Sequence, residues 1–417
     1  MKFNYGKIFL LGFGFFGVSV IWGVYNAFVP IFLADKFHLS PFFIGFFMTL
    51  DNIAALFIQP PVGAWSDRLR TPIGRRMPFI LIGAPLGALA FGFIPVAAVL
   101  PLFVAFTSTL LISMAMWRTP VVALMPDITP SDKRSQANGI INFMGGIGAI
   151  ISFLGGSILY KMNPAFPFWM GSALVIVAAV LVFIFIKEPQ DFDGTKKQPG
   201  MLESLKEVIA DNDKSALRLL FAIFFWFLGY TAIEAFFTLY AKNQLGIDPS
   251  DGSRLLGHLS LFFVLFALLA GVIGARIGRR VTISIGIVIM GALLAGIYFT
   301  PPATLTTVIG KAPVLGTIPV ISLFLMAAGA AWSLININSL PMVVDMTSTA
   351  RAGTFTGLYY LFSTLSAIAG PNINGFLIEF TGNNYNTIML VSPVFMFIAL
   401  WLMLGVKRGE AQQAAIS

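Results

Sequence analysis

The sequence of 417 residues has no cysteine and two histidines, and charged residues make up only 11% of it. Without cysteine the chain forms no disulfide and no thiolate metal site, and two histidines are too few for a zinc cage. Soluble proteins contain about 25% charged residues, whereas 57% of this chain is hydrophobic. The composition excludes a soluble globular enzyme, and we expect neither a metal nor an organic cofactor.

The chain instead contains long apolar stretches. A helix needs about 20 predominantly apolar residues to cross a bilayer. Apolar stretches of this length must be helical, because backbone N–H and C=O groups left unpaired in lipid are too costly. We therefore predict an all-α membrane protein with twelve spans, at 8–33, 42–65, 77–96, 101–125, 137–160, 167–186, 219–240, 255–273, 281–299, 317–344, 353–378 and 385–406.

The basic residues predict the orientation of these spans. Of the 26 Lys and Arg residues, 20 fall on the side of the two termini, five fall on the other side, and Arg118 lies within a span. Positive charge marks the cytoplasmic side, so both termini are predicted to be cytoplasmic. Because the net charge of +8 is spread over the ends of spans, nucleic acid is not an expected partner. His38 and His258 fall near the outer surface, where we expect them to be solvated or interfacial.

The longest hydrophilic stretch separates the spans six and six. We predict a first six-helix bundle at 1–187, a cytoplasmic linker at 188–217 and a second six-helix bundle at 218–417. The two halves also share short sequences: Gly-Arg-Arg occurs at 74–76 and again at 278–280, and Asp127 and Asp345 each follow a span, 218 residues apart. Such echoes are typical of a duplicated membrane fold.

The stretch between the second and third spans carries a known motif. Gly63, Asp67, Arg68 and the run 74–76 resemble the G-x-x-x-D-R-x-G-R-R signature of the major facilitator superfamily, with 69–73 inserted. The longer version, from Gln59-Pro60 to 78–80, is similar to that of the sucrose/proton symporters, which are related to glycoside–pentoside–hexuronide/cation symporters. This resemblance implies two pseudo-symmetric six-helix bundles and proton-coupled transport of a sucrose-like disaccharide or glycoside by alternating access.

Three formally charged side chains lie inside the predicted spans: Asp51, Arg118 and Glu234. Such groups are costly in hydrocarbon and usually serve function. A carboxylate whose surroundings change between the two sides can take up a proton on one side and release it on the other. Asp51 and Glu234 are the leading coupling candidates, with Arg118 as the cation that modulates them or bonds a sugar hydroxyl. The alternative is a buried pair that only joins helices. By the resemblance, proton coupling would also fall on Asp127, which otherwise is an ordinary helix-end acid.

Sugar sites combine amides or acids with aromatic rings, and the spans supply both kinds. Trp332, Asn336 and Ser339 share one face of the tenth span, spaced by four and three residues. The alternative for each ring is simple packing. The substrate-binding candidates are Trp22, Tyr25, Asn26, Gln59, Tyr230, Trp332, Asn336 and Ser339.

Charges at the cytoplasmic ends of packed helices can hold one conformation and separate when the bundles rock. The gate candidates are Asp67, Arg68, Arg75, Arg76 and Arg134, although the same Arg residues also satisfy the orientation rule.

The expected protein is therefore a proton-coupled sugar symporter, a monomer in a bacterial plasma membrane, whose partners are a small sugar and the lipid bilayer. Three alternatives stay open. Sodium could replace the proton, and the protein could be a proton/drug antiporter, which a cavity lined by Phe and Met would favour. A membrane-embedded transferase would need a hydrophilic catalytic loop with clustered acids or His, but the non-cytoplasmic loops are short and the hydrophilic stretch at 187–218 lacks His and Cys.

Overall fold

A computed structural model describes residues 4–129, 133–188, 201–347 and 352–410. Within these ranges, twelve helices are long and apolar enough to cross a membrane, which confirms the predicted helical membrane architecture. The helices are α1 (Tyr5–Asp35), α2 (Pro41–Phe47), α3 (Leu50–Arg68), α4 (Met77–Phe93), α5 (Leu100–Ile128), α6 (Arg134–Ile150), α7 (Gly156–Met162), α8 (Phe166–Phe185), α9 (Met201–Ala210), α10 (Ser215–Leu245), α11 (Pro249–Ile277), α12 (Arg279–Phe299), α13 (Pro302–Thr306), α14 (Val320–Val344), α15 (Ala352–Phe380) and α16 (Thr387–Leu404).

Two spans are built from two helices each. The second span consists of α2 and α3, and between them the Thr49 hydroxyl donates to the Phe46 carbonyl at 2.7 Å. The fifth span consists of α6 and α7 joined by one π-helical turn, Ile151–Gly155. Such turns widen the backbone ring and recur near functional positions in helices.

A short β-hairpin precedes α14, where we expected the tenth span to begin at residue 317. Strands β1 (Val308–Ala312) and β2 (Gly316–Pro319) pair antiparallel, and the helix starts only at Val320. Pro319 has an extended backbone at the helix start, a position that suits a residue without an N–H.

The hairpin also explains why the expected environment of His258 is wrong. His258 is fully buried rather than solvated. Its Nδ1 lies 3.0 Å from Ser322 Oγ, and its Nε2 lies 3.0 Å from the Leu315 carbonyl in the hairpin turn. The ring therefore joins α11 to α14 and to the hairpin.

Residue contacts divide the chain into two units. Unit 1 comprises Met1–Ser40, Leu50–Gly194 and Ile247–Gly257, and unit 2 comprises Pro41–Thr49, Thr195–Gly246 and His258–Ser417. The domain boundaries expected after residues 187 and 217 stay a prediction.

In unit 1, α1 packs against α6 and α8. A Cβ atom at Gly148 would lie 2.5 Å from the Phe16 carbonyl oxygen, so only glycine allows α6 to approach α1 this closely. The start of α11 belongs to this unit through an ion pair of 2.8 Å between Lys161 and Asp251 and a hydrogen bond of 3.0 Å from Ser253 Oγ to the Phe153 carbonyl.

In unit 2, α10 packs against α15 and α16, and α12 packs against α14 and α16. Helix α2 belongs to this unit because it lies along α15. Asn372 Nδ2 donates to Thr49 Oγ1 at 3.2 Å, and a Cβ atom at Gly45 would lie 2.3 Å from the Pro371 carbonyl oxygen. Close backbone packing at small residues is typical of membrane helices.

Candidate functional site

In unit 1, the acid of the second span lies among neutral polar and aromatic groups. Asp51 is half-buried at the start of α3, and Asn52 Nδ2 donates to its Oδ1 at 2.7 Å. The charge of Asp51 also acts on the hydroxyl of Tyr25 on α1. The rings of Tyr25 and Trp22 meet edge to face, with centroids 5.6 Å apart and planes at 83°. Tyr25 is 1% exposed, so this acid borders the packed interior of its unit.

In unit 2, the acid of the seventh span lies beside a stack of aromatic rings. Tyr230 precedes Glu234 by one turn of α10, and the charge of Glu234 acts on its hydroxyl. The Tyr230 ring lies parallel to that of Trp332, with centroids 3.9 Å apart and planes at 4°. Phe227 contacts the same Trp332 edge to face at 5.4 Å. Tyr230, Phe227 and Glu234 are half-buried, whereas Trp332 is buried behind them.

The tyrosines of the two groups occupy equivalent places in the two halves, although the acids lie on different helices, Asp51 on α3 and Glu234 on α10. Tyr25 and Tyr230 lie on the first helix of their halves, 205 residues apart, and Trp22 and Phe227 have the same separation. This register is readable from the sequence. Each half thus combines an acid within a span with a tyrosine of its first helix, and the tyrosine of the second half, Tyr230, stacks on a parallel ring.

The other predicted substrate residues vary in exposure. Asn26, Gln59 and Asn336 are half-buried on α1, α3 and α14. Ser339 is fully buried, donates to the Asn336 carbonyl at 2.8 Å and lies 3.2 Å from the Tyr359 hydroxyl. In this conformation Ser339 and Trp332 hold neighbouring side chains in place. Arg118 is exposed on α5. The assignment of all these residues to substrate or proton stays a prediction.

Several predicted gate residues form one network in unit 1, which we call the Glu188 cluster: Asp67, Arg75, Arg76, Asp127 and Glu188. Arg76 pairs with Asp67 at 2.7 Å and with Asp127 at 2.8 Å. Arg75 contacts Asp127 at 3.1 Å and Glu188 at 3.4 Å. Asp127, to which the resemblance assigns proton coupling, thus belongs structurally to this network of helix ends. Arg68 is exposed, and the side chain of Arg134 lies outside the described part of the chain.

Glu188 is the member that sequence analysis missed. Its carboxylate accepts from the backbone N–H of Arg76, at 2.9 and 3.3 Å, just before α4 begins. A carboxylate at a helix N-terminus is stabilised by the free N–H groups and the helix dipole. Gly74 adopts a φ of +112°, and a Cβ atom there would lie 2.2 Å from Glu188 Oε2. The side chain of Glu188 is fully covered, and this burial raises its pKa, although the Arg76 N–H and the two arginine charges oppose the rise.

Unit 2 repeats this arrangement in what we call the Glu410 cluster: Arg279, Arg280, Asp345 and Glu410. Glu410 accepts from the backbone N–H groups of Arg279 at 2.6 Å and Arg280 at 3.0 Å, where α12 begins. Arg279 forms an ion pair with Asp345. Gly278 has a φ of +93°. Both acids follow the last span of their half by a few residues, and that shared position is the sequence signal that could have revealed them.

No group of three His, Cys, Asp or Glu within the described ranges is placed to hold a metal ion. The two membrane groups offer instead a carboxylate beside a tyrosine in each half. A carboxylate can bind a cation or a proton, and an aromatic face can bind an apolar or cationic ligand.

Comparison with known families and sequences gives a consistent assignment. The sequence model of the Major Facilitator Superfamily matches residues 11–310 and 219–415. "Multidrug resistance protein 2" of Bacillus subtilis is 25% identical over 412 residues, which cover 97% of this chain and 94% of that protein. "Quinolone resistance protein NorA" of Staphylococcus aureus is 22% identical over 265 residues, 63% of this chain and 65% of that protein.

Solved structures agree on the fold. An inward-facing, occupied bacterial homologue of the human lysosomal transporter Spinster has a TM-score of 0.74 and 15% identity, with 97% of both chains covered. A variant of the nucleoside transporter NupG has a TM-score of 0.74 and 18% identity, with 96% of this chain and all of the other covered.

Proposed function

The chain belongs to the major facilitator superfamily, and we propose that it is a proton-coupled antiporter that exports amphipathic aromatic compounds, preferentially those that carry positive charge. We also propose that transport proceeds by alternating access, which membership of this family supports. The sequence alone favoured sugar symport, which the comparisons do not confirm, and the antiporter was then one of the alternatives. We further propose a monomer in a bacterial plasma membrane with both termini in the cytoplasm.

The observation that carries the proposal is the Glu234 group in unit 2. A parallel pair of rings, Tyr230 on Trp332, lies beside an acid in the middle of a span. A cation over an aromatic face gains about 0.5–2 kcal/mol, and the carboxylate adds a direct ionic contact. Large apolar rings fit this surface better than a sugar does, because each sugar hydroxyl buried without a hydrogen bond costs about 1–3 kcal/mol.

The relatives support the same choice. The relative that matches nearly the whole chain is called a multidrug resistance protein, and another is called a quinolone resistance protein. At 25% identity over 412 residues, the relationship does not extend to an individual substrate. It does favour a broad class of apolar ring compounds over a single carbohydrate.

Glycoside symport is the second candidate, and three amides favour it. Asn26, Gln59 and Asn336 are half-buried within the spans, where an amide suits a hydroxyl-rich ligand. Against this candidate, the groups beside the acid in unit 2 are stacked aromatic rings rather than amides.

The test is transport into proteoliposomes under imposed pH gradients of both polarities, with ethidium, sucrose and melibiose compared in parallel and with or without sodium. We expect ethidium to accumulate only when the interior is acidic, because it then exchanges for protons that leave, and we expect neither sugar to accumulate under either polarity. Accumulation of either sugar, driven by protons or by sodium, without ethidium transport would overturn the proposal in favour of symport. Glu379→Gln, an exposed acid at the end of α15, serves as the matched control for loss of a carboxylate.

A further inference from the structure

We propose that the two acid–tyrosine pairs divide the work of exchange. Asp51 with Tyr25 in unit 1 takes up and releases the coupling proton, and Glu234 with Tyr230 in unit 2 binds the transported cation. This inference rests on the proposed antiport and goes further by assigning the proton to one acid and the transported cation to the other.

The surroundings of Asp51 suit a proton. Its carboxylate already accepts from Asn52 Nδ2 at 2.7 Å. The nearby Tyr25 hydroxyl is buried and has no hydrogen-bond partner among the described residues. A tyrosine hydroxyl can donate to a carboxylate and accept from a carboxylic acid. The two groups do not bond in this conformation, but once within bonding distance the Tyr25 hydroxyl can donate to ionised Asp51 or accept from its protonated form, which suits a site that cycles between these states.

The same surroundings do not suit an organic cation. The Trp22 and Tyr25 planes stand at 83°, so the two rings offer no continuous flat face. Tyr25 is 1% exposed, and its ring is therefore part of the packed interior. A proton needs no such face, because it binds one carboxylate oxygen directly.

The surroundings of Glu234 have the opposite character. Tyr230 is half-buried, and Trp332 supports it from behind in a parallel stack. Phe227, also half-buried, fixes Trp332 from the edge at 5.4 Å. The exposed part of this group is therefore aromatic, with the acid one helical turn away. A flat cation can contact the ring and the carboxylate together.

The exchange balances in charge and atoms. A proton adds to a carboxylate oxygen of Asp51 from the acidic side and leaves from the same oxygen to water on the other side. The cation binds ionised Glu234 and leaves it ionised, and no covalent bond to the substrate forms. The proposal requires that the two binding events alternate, so that one proton moves against one monovalent cation.

The test separates binding, exchange and coupling with two variants, Asp51→Asn and Glu234→Gln. Ethidium binding to the purified full-length protein is followed by fluorescence. Exchange of labelled for unlabelled ethidium is measured in proteoliposomes without a pH gradient, and accumulation is measured with one. Asp51→Asn should bind and exchange ethidium within about twofold of wild type and lose gradient-driven accumulation. Glu234→Gln should lose affinity by more than about tenfold, as expected for a lost charge-assisted contact.

Companion variants test the tyrosines. Tyr25→Phe should shift the pH at which accumulation is half-maximal and leave ethidium affinity unchanged. Tyr230→Leu should weaken binding, whereas Tyr230→Phe should retain it because the aromatic face remains. Glu379→Gln is the control for loss of an acid, and Asp51→Glu, which should restore coupling in part, guards against misfolding as the cause of loss.

The outcomes distinguish the two proposals. If Asp51→Asn loses binding as strongly as Glu234→Gln does, or if Glu234→Gln binds normally and loses only coupling, the division of work is wrong while antiport stands. Coupled accumulation that survives in Asp51→Asn also overturns it. If the wild-type protein itself neither binds nor exchanges ethidium, the proposed function fails first.

Discussion

The Glu188 cluster of unit 1 and the Glu410 cluster of unit 2 use the same backbone device in different surroundings. In each, a glycine with positive φ is followed by two arginines, and a glutamate from beyond the last span accepts from the backbone N–H groups that begin a helix. Glu188 is fully covered and has two arginines and two further acids around it, whereas Glu410 is exposed. The hydrogen bonds to the helix start thus recur in both clusters, but Glu188 is buried among charges and Glu410 is exposed.

This difference predicts unequal stability effects. Removing one partner of a buried ionic network costs about 3 kcal/mol, whereas an exposed carboxylate at a helix start contributes less than about 1 kcal/mol. Glu188→Ala should therefore lower the free energy of unfolding by about 3 kcal/mol, and Glu410→Ala by less than about 1 kcal/mol. Thermal unfolding in one detergent measures both, and equal losses would show that burial does not distinguish the clusters.

Gly74 and Gly278, the glycines of the two clusters, provide the next comparison. Both have positive φ, which costs a residue with a Cβ atom about 1–3 kcal/mol. A Cβ atom would lie 2.2 Å from Glu188 Oε2 at Gly74 but 3.1 Å from Glu410 Oε1 at Gly278. Gly74→Ala should thus destabilise by about 2 kcal/mol and Gly278→Ala by about 1 kcal/mol. A larger effect at Gly278 would contradict the contact geometry.

Changing the pH separates the contribution of the Glu188 charge to stability from the contribution of its hydrogen bonds. Burial raises the pKa of Glu188 above its ordinary value of 4.5, so the folded state holds the proton more tightly than the unfolded state. The resulting stabilisation is fully present below pH 4.5 and is lost as pH rises through the folded-state pKa. Relative to Glu188→Gln, which keeps an acceptor without the charge, the wild-type protein should therefore gain stability as the pH falls from neutral towards 4.5. A difference that does not depend on pH would contradict the raised pKa.

The smallest effect on stability is expected at Arg408, which forms ion pairs with two surface acids of unit 2. Arg408 contacts Asp211 and Asp213 at 2.7 Å each, and the hydrogen bond from Arg408 lowers the pKa of Asp211. Both acids are on the surface, where water and salt screen such pairs. Asp211→Asn should leave the unfolding temperature unchanged at physiological salt. A clear decrease that high salt abolishes would show that this pair is stronger than its exposure implies.

The twelve spans could be predicted from the sequence because the thickness of the bilayer core sets the length of each apolar helix. The sequence also singled out Asp67, Arg75 and Arg76 as gate candidates, and the structure pairs Arg76 with Asp67, while their role as a gate stays a prediction. It missed Glu188 and Glu410 because their partners are backbone N–H groups, which every residue carries. The burial of His258 was missed for a related reason, since its partners come from a hairpin within a stretch that hydropathy assigns partly to a helix.

The groups around Asp51 and Glu234 also show that sequence predicts single residues more readily than side-chain contacts. Asp51 and Glu234 stood out because charge is rare in a span. The parallel stacking of Tyr230 on Trp332, however, joins residues 102 positions apart in the sequence. Their contact depends on how α10 packs against α14, and a periodic pattern of apolar residues does not specify that side-chain geometry.

The direction of proton movement tests antiport most directly. Wild-type proteoliposomes carrying an internal pH indicator, with the membrane potential clamped, are given external ethidium or sucrose in separate runs. We expect ethidium entry to drive protons out, so that the interior becomes more alkaline, and we expect sucrose to have no effect. Acidification of the interior by sucrose, or ethidium entry without any pH change, would contradict proton-coupled export.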